Sequence, residues 1–220
     1  MADRYQELWT QGSRAILRGD AVTQDGPLGT GRWPVSIALR LDETTRSTFA
    51  TLASEAAAVI GDAYHFDHHV TVRAVHPASD DTIDEHRMTL YADALREAVA
   101  GLGPVRLRFD GLTLAPGNVM ACGYPVDDTA DRLRARLAES LATRDADGFE
   151  RGYRRDIWHA TLIGFAGPVN DPQQLVDWVA RRRREPLATA RCDAVELNRW
   201  NALADRQVAA PLCRVSLTAD

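Results

Sequence analysis

The stretch Tyr64–Val72, YHFDHHVTV, contains three histidines within five residues. It leads into a predicted strand at 68–75, HHVTVRAV, and alternate side chains of a strand share one face. His69 and Thr71 therefore point one way, whereas His68 and the valines beside it point towards apolar packing. The alternation predicts that His69 is available for chemistry and that His68 serves the structure.

The same short pattern occurs twice in the chain. A His-x-Thr followed by an apolar residue appears as HVTV at 69–72 and as HATL at 159–162, and the two histidines are 90 residues apart. Later segments also match, since RFDGLTL at 108–114 aligns with RCDAVEL at 191–197. Because these matches come in the same order along the chain, they predict an internal duplication.

The order of strands and helices predicts an α+β fold. It consists of two pseudo-symmetric lobes, whose mainly antiparallel sheets face a central cleft and whose helices lie outside. The lobes are expected at about 34–117 and 118–217, within one domain of 34–217, and residues 1–33 form an N-terminal helix and loop extension. The glycines at 25–34 resemble a phosphate cradle, but the GK[ST] ending is missing, so we interpret this segment as a loop.

Composition excludes several kinds of site. All 26 basic residues are arginine, so a Schiff-base lysine, a P-loop lysine and a lysine-linked nucleotide are excluded. The net charge of −5 argues against non-specific coating of nucleic acid, which requires the neutralisation of many phosphates. Three scattered cysteines and the absence of a long apolar run predict a cytoplasmic protein without a membrane partner, and we expect a monomer.

One His-x-Thr from each lobe would meet its counterpart in the central cleft. Phosphodiester cleavage without a metal needs such a pair, because a neutral imidazole takes a proton from the attacking oxygen and an imidazolium gives one to the leaving oxygen. Threonine hydroxyls donate to the non-bridging phosphate oxygens and stabilise the charge that builds there.

These motifs resemble the two H-x-[ST]-x motifs of the two-histidine (2H) phosphoesterase superfamily, which includes 2′-5′ RNA ligase-like proteins and cyclic phosphodiesterases. The resemblance covers about residues 33–217. It implies that His69 and His159 are the acid–base pair, that Thr71 and Thr161 bind phosphate, and that neither a metal nor a cofactor takes part. It also implies a substrate with a 2′,3′-cyclic phosphate or a 2′-5′ linkage, in a nucleotide or at an RNA end. Which histidine is the base stays open.

Strand alternation adds further candidates for substrate binding. Arg73 and Arg155 are expected to clamp phosphate, and Phe165 to stack on a base, whereas Tyr153 is a weaker candidate for stacking that does not come from strand alternation. The alternatives are ordinary: an arginine at a strand end is often a surface group, and an aromatic side chain often belongs to the core. Weaker stacking candidates are Trp33 and Trp158.

Two other interpretations stay open. His65, Asp67 and His69 share a strand face, but as metal ligands they would span roughly 13 Å at about 3.3 Å per residue, which disfavours a metal site. The same cleft also suits different chemistry on a small metabolite, or binding of RNA or a nucleotide with little turnover. The binding role is disfavoured because a binding protein needs no acid–base pair.

Overall fold

A computed structural model describes residues 2–23, 35–77 and 83–218. The predicted loop at 25–34, the weak stacking candidate Trp33 and the boundary between extension and domain lie outside the described residues. Within the described ranges, no helix is both long and apolar enough to cross a membrane.

The described residues form five α-helices, nine β-strands and a single turn of 3₁₀ helix. In chain order these are α1 (Ala2–Arg18), β1 (Val35–Arg40), α2 (Glu43–Ile60), β2 (Gly61–Phe66), β3 (His69–His76), α3 (Glu85–Val99), β4 (Val105–Ala115), β5 (Asn118–Pro125), α4 (Thr129–Ala142), the 3₁₀ turn (Gly148–Glu150), β6 (Trp158–Val169), α5 (Pro172–Arg181), β7 (Pro186–Cys192), β8 (Ala194–Ala202) and β9 (Arg206–Ser216).

Aspartate side chains cap the N-termini of three of the helices. Asp42 accepts a hydrogen bond from the backbone N–H three residues later at 2.8 Å, and Asp84 and Asp171 do the same for α3 and α5. Such a cap satisfies a backbone donor that has no partner inside the helix. The helix after the first motif strand therefore starts at Glu85.

The strands form one sheet in the order β3-β1-β8-β9-β2-β6-β5-β4-β7. Among the described strands every pairing is antiparallel except that of β2 with β9, which is parallel and joins the two halves of the sheet. The predicted α+β class and mainly antiparallel sheet are confirmed.

The predicted division of the lobes at residue 117 is wrong. One half of the sheet combines β1 and β3 with β8 and β9, and the other half combines β2 and β4 with β5, β6 and β7. Each half therefore takes strands from both predicted lobes. Local patterns cannot reveal this exchange, because strand pairing is decided between residues far apart in the chain.

Both motif strands contain a β-bulge at the same motif position. In β3 the neighbours of Val72 pair with two adjacent residues of β1, so Val72 is the extra residue. In β6 the neighbours of Leu162 pair with two adjacent residues of β5, so Leu162 is the extra residue. Val72 and Leu162 are the last residues of HVTV and HATL. The duplication therefore extends to an irregularity of the backbone, and a bulge redirects the side chains that follow it.

Helix α1 is fastened to the strand that carries the second motif. The Tyr5 hydroxyl accepts a hydrogen bond from the N–H of Gly123 at 3.1 Å, and it lies within hydrogen-bond distance of the carbonyl oxygens of Gly123 and Trp158. Close packing continues at Gly12, where a Cβ atom would lie 2.5 Å from the Leu114 carbonyl oxygen. The extension thus holds the start of β6 in place.

Candidate active site

His69 is held from two sides at the start of β3. Its Nδ1 donates a hydrogen bond to the Asp67 carbonyl oxygen at 2.7 Å, so the lone pair of the neutral ring is on Nε2. The Trp200 indole stacks on the imidazole with ring centroids 4.0 Å apart and an interplanar angle of 26°. Trp200 is fixed in turn by a hydrogen bond from Nε1 to Ser36 Oγ at 2.7 Å. These contacts fix both the tautomer and the orientation of His69.

His159 occupies the equivalent position in β6, opposite Cys122 of β5. Burial, and to a smaller extent the positive charges of Arg155, protonated His69 and Arg134, lower its pKa to about 4. Burial likewise lowers the pKa of His69 to about 4, with a smaller contribution from Arg155. Since protonated His69 disfavours protonation of His159 and both rings sense Arg155, the two imidazoles lie in one electrostatic environment.

Acid pH is expected to destabilise the protein through these histidines. The pKa of a histidine in the unfolded chain is about 6.5, whereas both folded pKa values are about 4. Between these values the unfolded chain binds more protons, so the free energy of unfolding falls as the pH decreases through this window and is unaffected above it.

Urea unfolding at neutral and at mildly acid pH measures this effect. The double variant His69→Asn/His159→Asn should lose less stability on acidification than the unmodified protein. Equal losses would contradict the lowered histidine pKa values.

Thr71 and Thr161 share the strand face of the histidine two residues before them. The strand register is uninterrupted from His69 to Thr71 and from His159 to Thr161, because both bulges come one residue later. Both threonines are partly exposed, whereas the alternate residues of both motifs belong to the core. The four predicted motif residues thus have matching environments in the two strands.

Strand alternation fails beyond the second motif. Phe165 is 0% exposed and lies in the apolar core, so the prediction that it stacks on a base is wrong. The reason is the bulge at Leu162, after which both Ile163 and Phe165 are buried. Trp158, the weaker candidate, is also fully buried, and its Nε1 donates to Asp131 at 3.0 Å.

Arg73 and Arg155, the two arginines predicted to bind phosphate, both form hydrogen bonds to Glu150. Arg155 pairs with the buried Glu150 carboxylate through both Nε and Nη2. Arg73 is only 8% exposed, and its Nη2 donates to the Glu150 carbonyl oxygen at 2.9 Å. Arg73 is therefore not the open clamp that alternation predicts, whereas Arg155 acts electrostatically on both histidines. The predicted stacking residue Tyr153 is exposed beside them.

His68 points away from His69, as alternation predicts. Its ring packs edge-on against Phe49 with centroids 5.9 Å apart, and burial lowers its pKa. Its Nε2 donates to the Leu162 carbonyl oxygen at 3.1 Å. His68, the residue just before β3, therefore stabilises the bulge of the second motif.

The alternative metal site does not form. Within residues 2–23, 35–77 and 83–218, no three histidine, cysteine or acidic side chains come close enough together to hold a metal ion. His65, Asp67 and His69 do not converge, and the Nδ1 of His69 is already bonded to backbone.

Sequence reasoning missed three residues that shape the site: Trp200, Glu150 and Arg134. Trp200 reaches His69 only because β8 pairs with β1, which no local pattern indicates. Glu150 and Arg134 belong to the 3₁₀ turn and to α4, where each looks like an ordinary charged surface residue. Their burial depends on tertiary packing against the start of β6.

Solved structures of other proteins have the same fold. TT0787 of Thermus thermophilus aligns with a TM-score of 0.64 at 17% identity, over 85% of this chain and 99% of that one. E. coli LigT complexed with 3′-AMP gives a TM-score of 0.56 at 12% identity, over 85% and 99%. A structure described as a phosphoesterase gives 0.57 at 12%, over 85% and 99%. No sequence family and no curated protein matches this chain. The chain therefore has the fold shared by these three proteins, and the fold that the resemblance to two-histidine phosphoesterases implies is confirmed.

Proposed function

We propose that the chain is a metal-independent phosphodiesterase that acts on a 2′,3′-cyclic phosphate or a 2′-5′ linkage in a nucleotide or RNA end. The observation that carries this proposal is the pair of half-buried imidazoles at equivalent motif positions, each sensing the charge of Arg155. A phosphoesterase function is also supported by the fold shared with a solved phosphoesterase. The 3′-AMP bound to LigT supports a nucleotide as the substrate.

His69 is the general base in the direction of hydrolysis. Its Nδ1–H is bonded to a carbonyl oxygen, so Nε2 is an available acceptor at neutral pH. For a 2′,3′-cyclic phosphate, Nε2 takes a proton from water while the water oxygen forms a bond to phosphorus. The stacked Trp200 holds the ring in position for this step.

His159 is the general acid. In the protein without substrate its pKa is about 4 because of burial and the nearby arginines. A bound phosphate brings negative charge, which offsets the arginines and favours the imidazolium form. As the bond from phosphorus to the ribose oxygen breaks, His159 gives its proton to that oxygen, and the two histidines exchange their protonation states.

The charge that builds on the phosphate is stabilised by three groups. The hydroxyls of Thr71 and Thr161 are donors on the same strand faces as the histidines. Each stabilises the charge on a phosphate oxygen through one hydrogen bond. Arg155 adds a fixed positive charge, and its guanidinium is held in place by the Glu150 carboxylate. No step requires a lysine or a metal.

A turnover screen with EDTA present tests the proposal. The substrates are 2′,3′-cyclic mononucleotides, 2′-5′ oligoadenylate, ADP-ribose cyclic phosphate and short RNAs. We expect turnover of at least one of them, with a bell-shaped dependence of kcat/KM on pH. Its optimum should lie on the acid side of about 6.5, the ordinary histidine pKa, because both pKa values are lowered. Turnover that requires a divalent metal, or no turnover at all, would refute the proposal.

A further inference from the structure

The two motif strands are not neighbours in the sheet. Between β3, which carries His69, and β6, which carries His159, the sheet order places the four strands β1, β8, β9 and β2. Strand pairing therefore fixes the distance between the histidines only through all of these strands, across which differences in twist add up. Attack and departure at one phosphorus require a fixed distance, so contacts outside the strand ladder are needed to set it.

Glu150 joins the two motif strands through its backbone and its side chain. Arg73, four residues after His69 in β3, donates from Nη2 to the Glu150 carbonyl oxygen at 2.9 Å. The Glu150 carboxylate accepts from both Nε and Nη2 of Arg155, which lies four residues before His159. We call these contacts among Arg73, Glu150 and Arg155 the Glu150 bridge.

Burial restricts the geometry of the Glu150 bridge. The side chain of Glu150 is 6% exposed and that of Arg155 is 22% exposed, and Arg73 is also buried. Because little water competes for it, the carboxylate keeps both bonds to one guanidinium, and this forked pairing is directional. A buried ion pair is weak evidence for stability, and its best-attested role is to fix one arrangement. The burial therefore favours a positioning role for Glu150.

The backbone that leads from Arg155 into β6 is held firmly. Arg134 of α4 donates from Nη1 to the Arg155 carbonyl oxygen at 3.1 Å and from Nη2 to the Ile157 carbonyl oxygen at 3.2 Å. Its guanidinium also lies 3.3 Å from the centre of the Trp158 ring. The segment 155–158 is therefore one unit with α4, and Glu150 adds its connection to β3.

A second contact lies on the other side of the motifs. His68, just before β3, donates from Nε2 to the Leu162 carbonyl oxygen of β6 at 3.1 Å. This contact precedes the first motif in the chain, whereas Arg73 of the Glu150 bridge follows it. Two connections that flank the motifs define the separation of the strands, whereas a single one would leave them free to rotate about it.

We propose that Glu150 is a positioning residue of the active site, which sets the separation of His69 and His159 by joining Arg73 to Arg155. It acts through the two arginines and not by contact with the substrate. This inference rests on the proposed function, which requires both histidines to reach one phosphate.

The electrostatic coupling between the two imidazoles reports their separation without any substrate. NMR titration of the full chain gives the pKa of His159 in the unmodified protein and in His69→Asn. The difference is the coupling, because a charged His69 opposes protonation of His159. Glu150→Gln keeps the backbone carbonyl but removes the ion pair with Arg155. We expect it to reduce the coupling to about half or less, since the interaction weakens with distance.

A second variant tests the other side of the Glu150 bridge. Arg73→Gln leaves the pair of Glu150 with Arg155 intact but removes the bond from β3, so it should also reduce the coupling. It keeps the proposal testable if Glu150→Gln does not fold.

Glu196→Gln is the matched control. The Glu196 side chain is also 6% exposed and pairs with an arginine, Arg40, but both belong to the same half of the sheet. The substitution therefore removes a buried ion pair without affecting a connection between the motif strands, and the coupling should be unchanged.

Kinetics gives a second measurement. With a substrate found by the turnover screen, Glu150→Gln should lower kcat about tenfold or more and change KM little. The reason is that a misplaced acid–base pair slows the chemical step and leaves binding of the substrate largely intact.

Undiminished coupling in folded Glu150→Gln or Arg73→Gln would overturn the positioning role, as would an equal loss in Glu196→Gln or an unchanged kcat in Glu150→Gln. Absence of coupling in the unmodified protein would also overturn it. A coupling that depends on Glu150 in a protein that turns over nothing would refute the proposed function and leave the Glu150 bridge standing.

Discussion

Replacing either His69 or His159 with alanine is expected to lower kcat by about 10²-fold or more, the usual worth of one general acid or base. Each histidine supplies a proton-transfer step that no neighbouring side chain replaces, since the nearby cations are arginines, which stay protonated. Steady-state kinetics with EDTA present, on the substrate found by the screen, measures the effect.

Substitutions of residues next to the two histidines are controls with smaller expected effects on kcat. Thr71→Ala and Thr161→Ala should cost less in kcat, because each removes one hydrogen bond and leaves both proton transfers in place. His68→Ala should leave kcat nearly unchanged and lower stability, because His68 packs on Phe49 and braces the Leu162 carbonyl. If His68→Ala lowered kcat as much as His69→Ala, the assignment of the acid–base pair would be wrong.

Replacing Phe165 with alanine is expected to lower the free energy of unfolding by about 3–5 kcal/mol, the usual cost of removing a buried phenylalanine ring. Phe165 is 0% exposed and belongs to the core, so the truncation leaves a cavity on top of the lost burial. Denaturant unfolding followed by circular dichroism measures the change.

Phe149 is the matched control for this substitution. Its ring is 51% exposed, so Phe149→Ala should change stability by no more than about 0.5 kcal/mol. Phe165→Leu, which keeps most of the buried volume, should retain the KM of the unmodified protein. A raised KM in Phe165→Leu at intact stability would restore Phe165 as a substrate contact.

The sequence predicts the centre of the site better than its surroundings. The His-x-Thr pattern and strict alternation predict different surroundings for His69 and His68, and the structure has them. The prediction is this simple because only three consecutive strand residues are involved. The prediction for Phe165 fails four residues after Thr161, since one bulge residue reverses the alternation. Leu162 is an ordinary strand residue, so its sequence position carries no sign of the bulge.

The pairing of strands and the walls of the site are also beyond local patterns. Trp200 packs on His69 because β8, from the second predicted lobe, pairs with β1 in the half of the sheet that contains β3. This pairing depends on contacts between residues far apart in the chain. Strand β2 begins with glycine and is short, so the pattern around YHF does not distinguish it from a loop. Burial of Glu150 likewise follows only from the assembled fold.

The exchange of strands between the two halves of the sheet affects how the chain folds as it is synthesised. The half that carries His69 is completed by β8 and β9, which end at Ser216, and the other half needs β7, which ends at Cys192. No contiguous segment from either predicted lobe contains a complete half-sheet. A nascent chain that stops at residue 117 therefore exposes unpaired strand edges and is expected to be prone to aggregation. Because both halves of the sheet depend on pairings between distant strands, we expect folding to be slow.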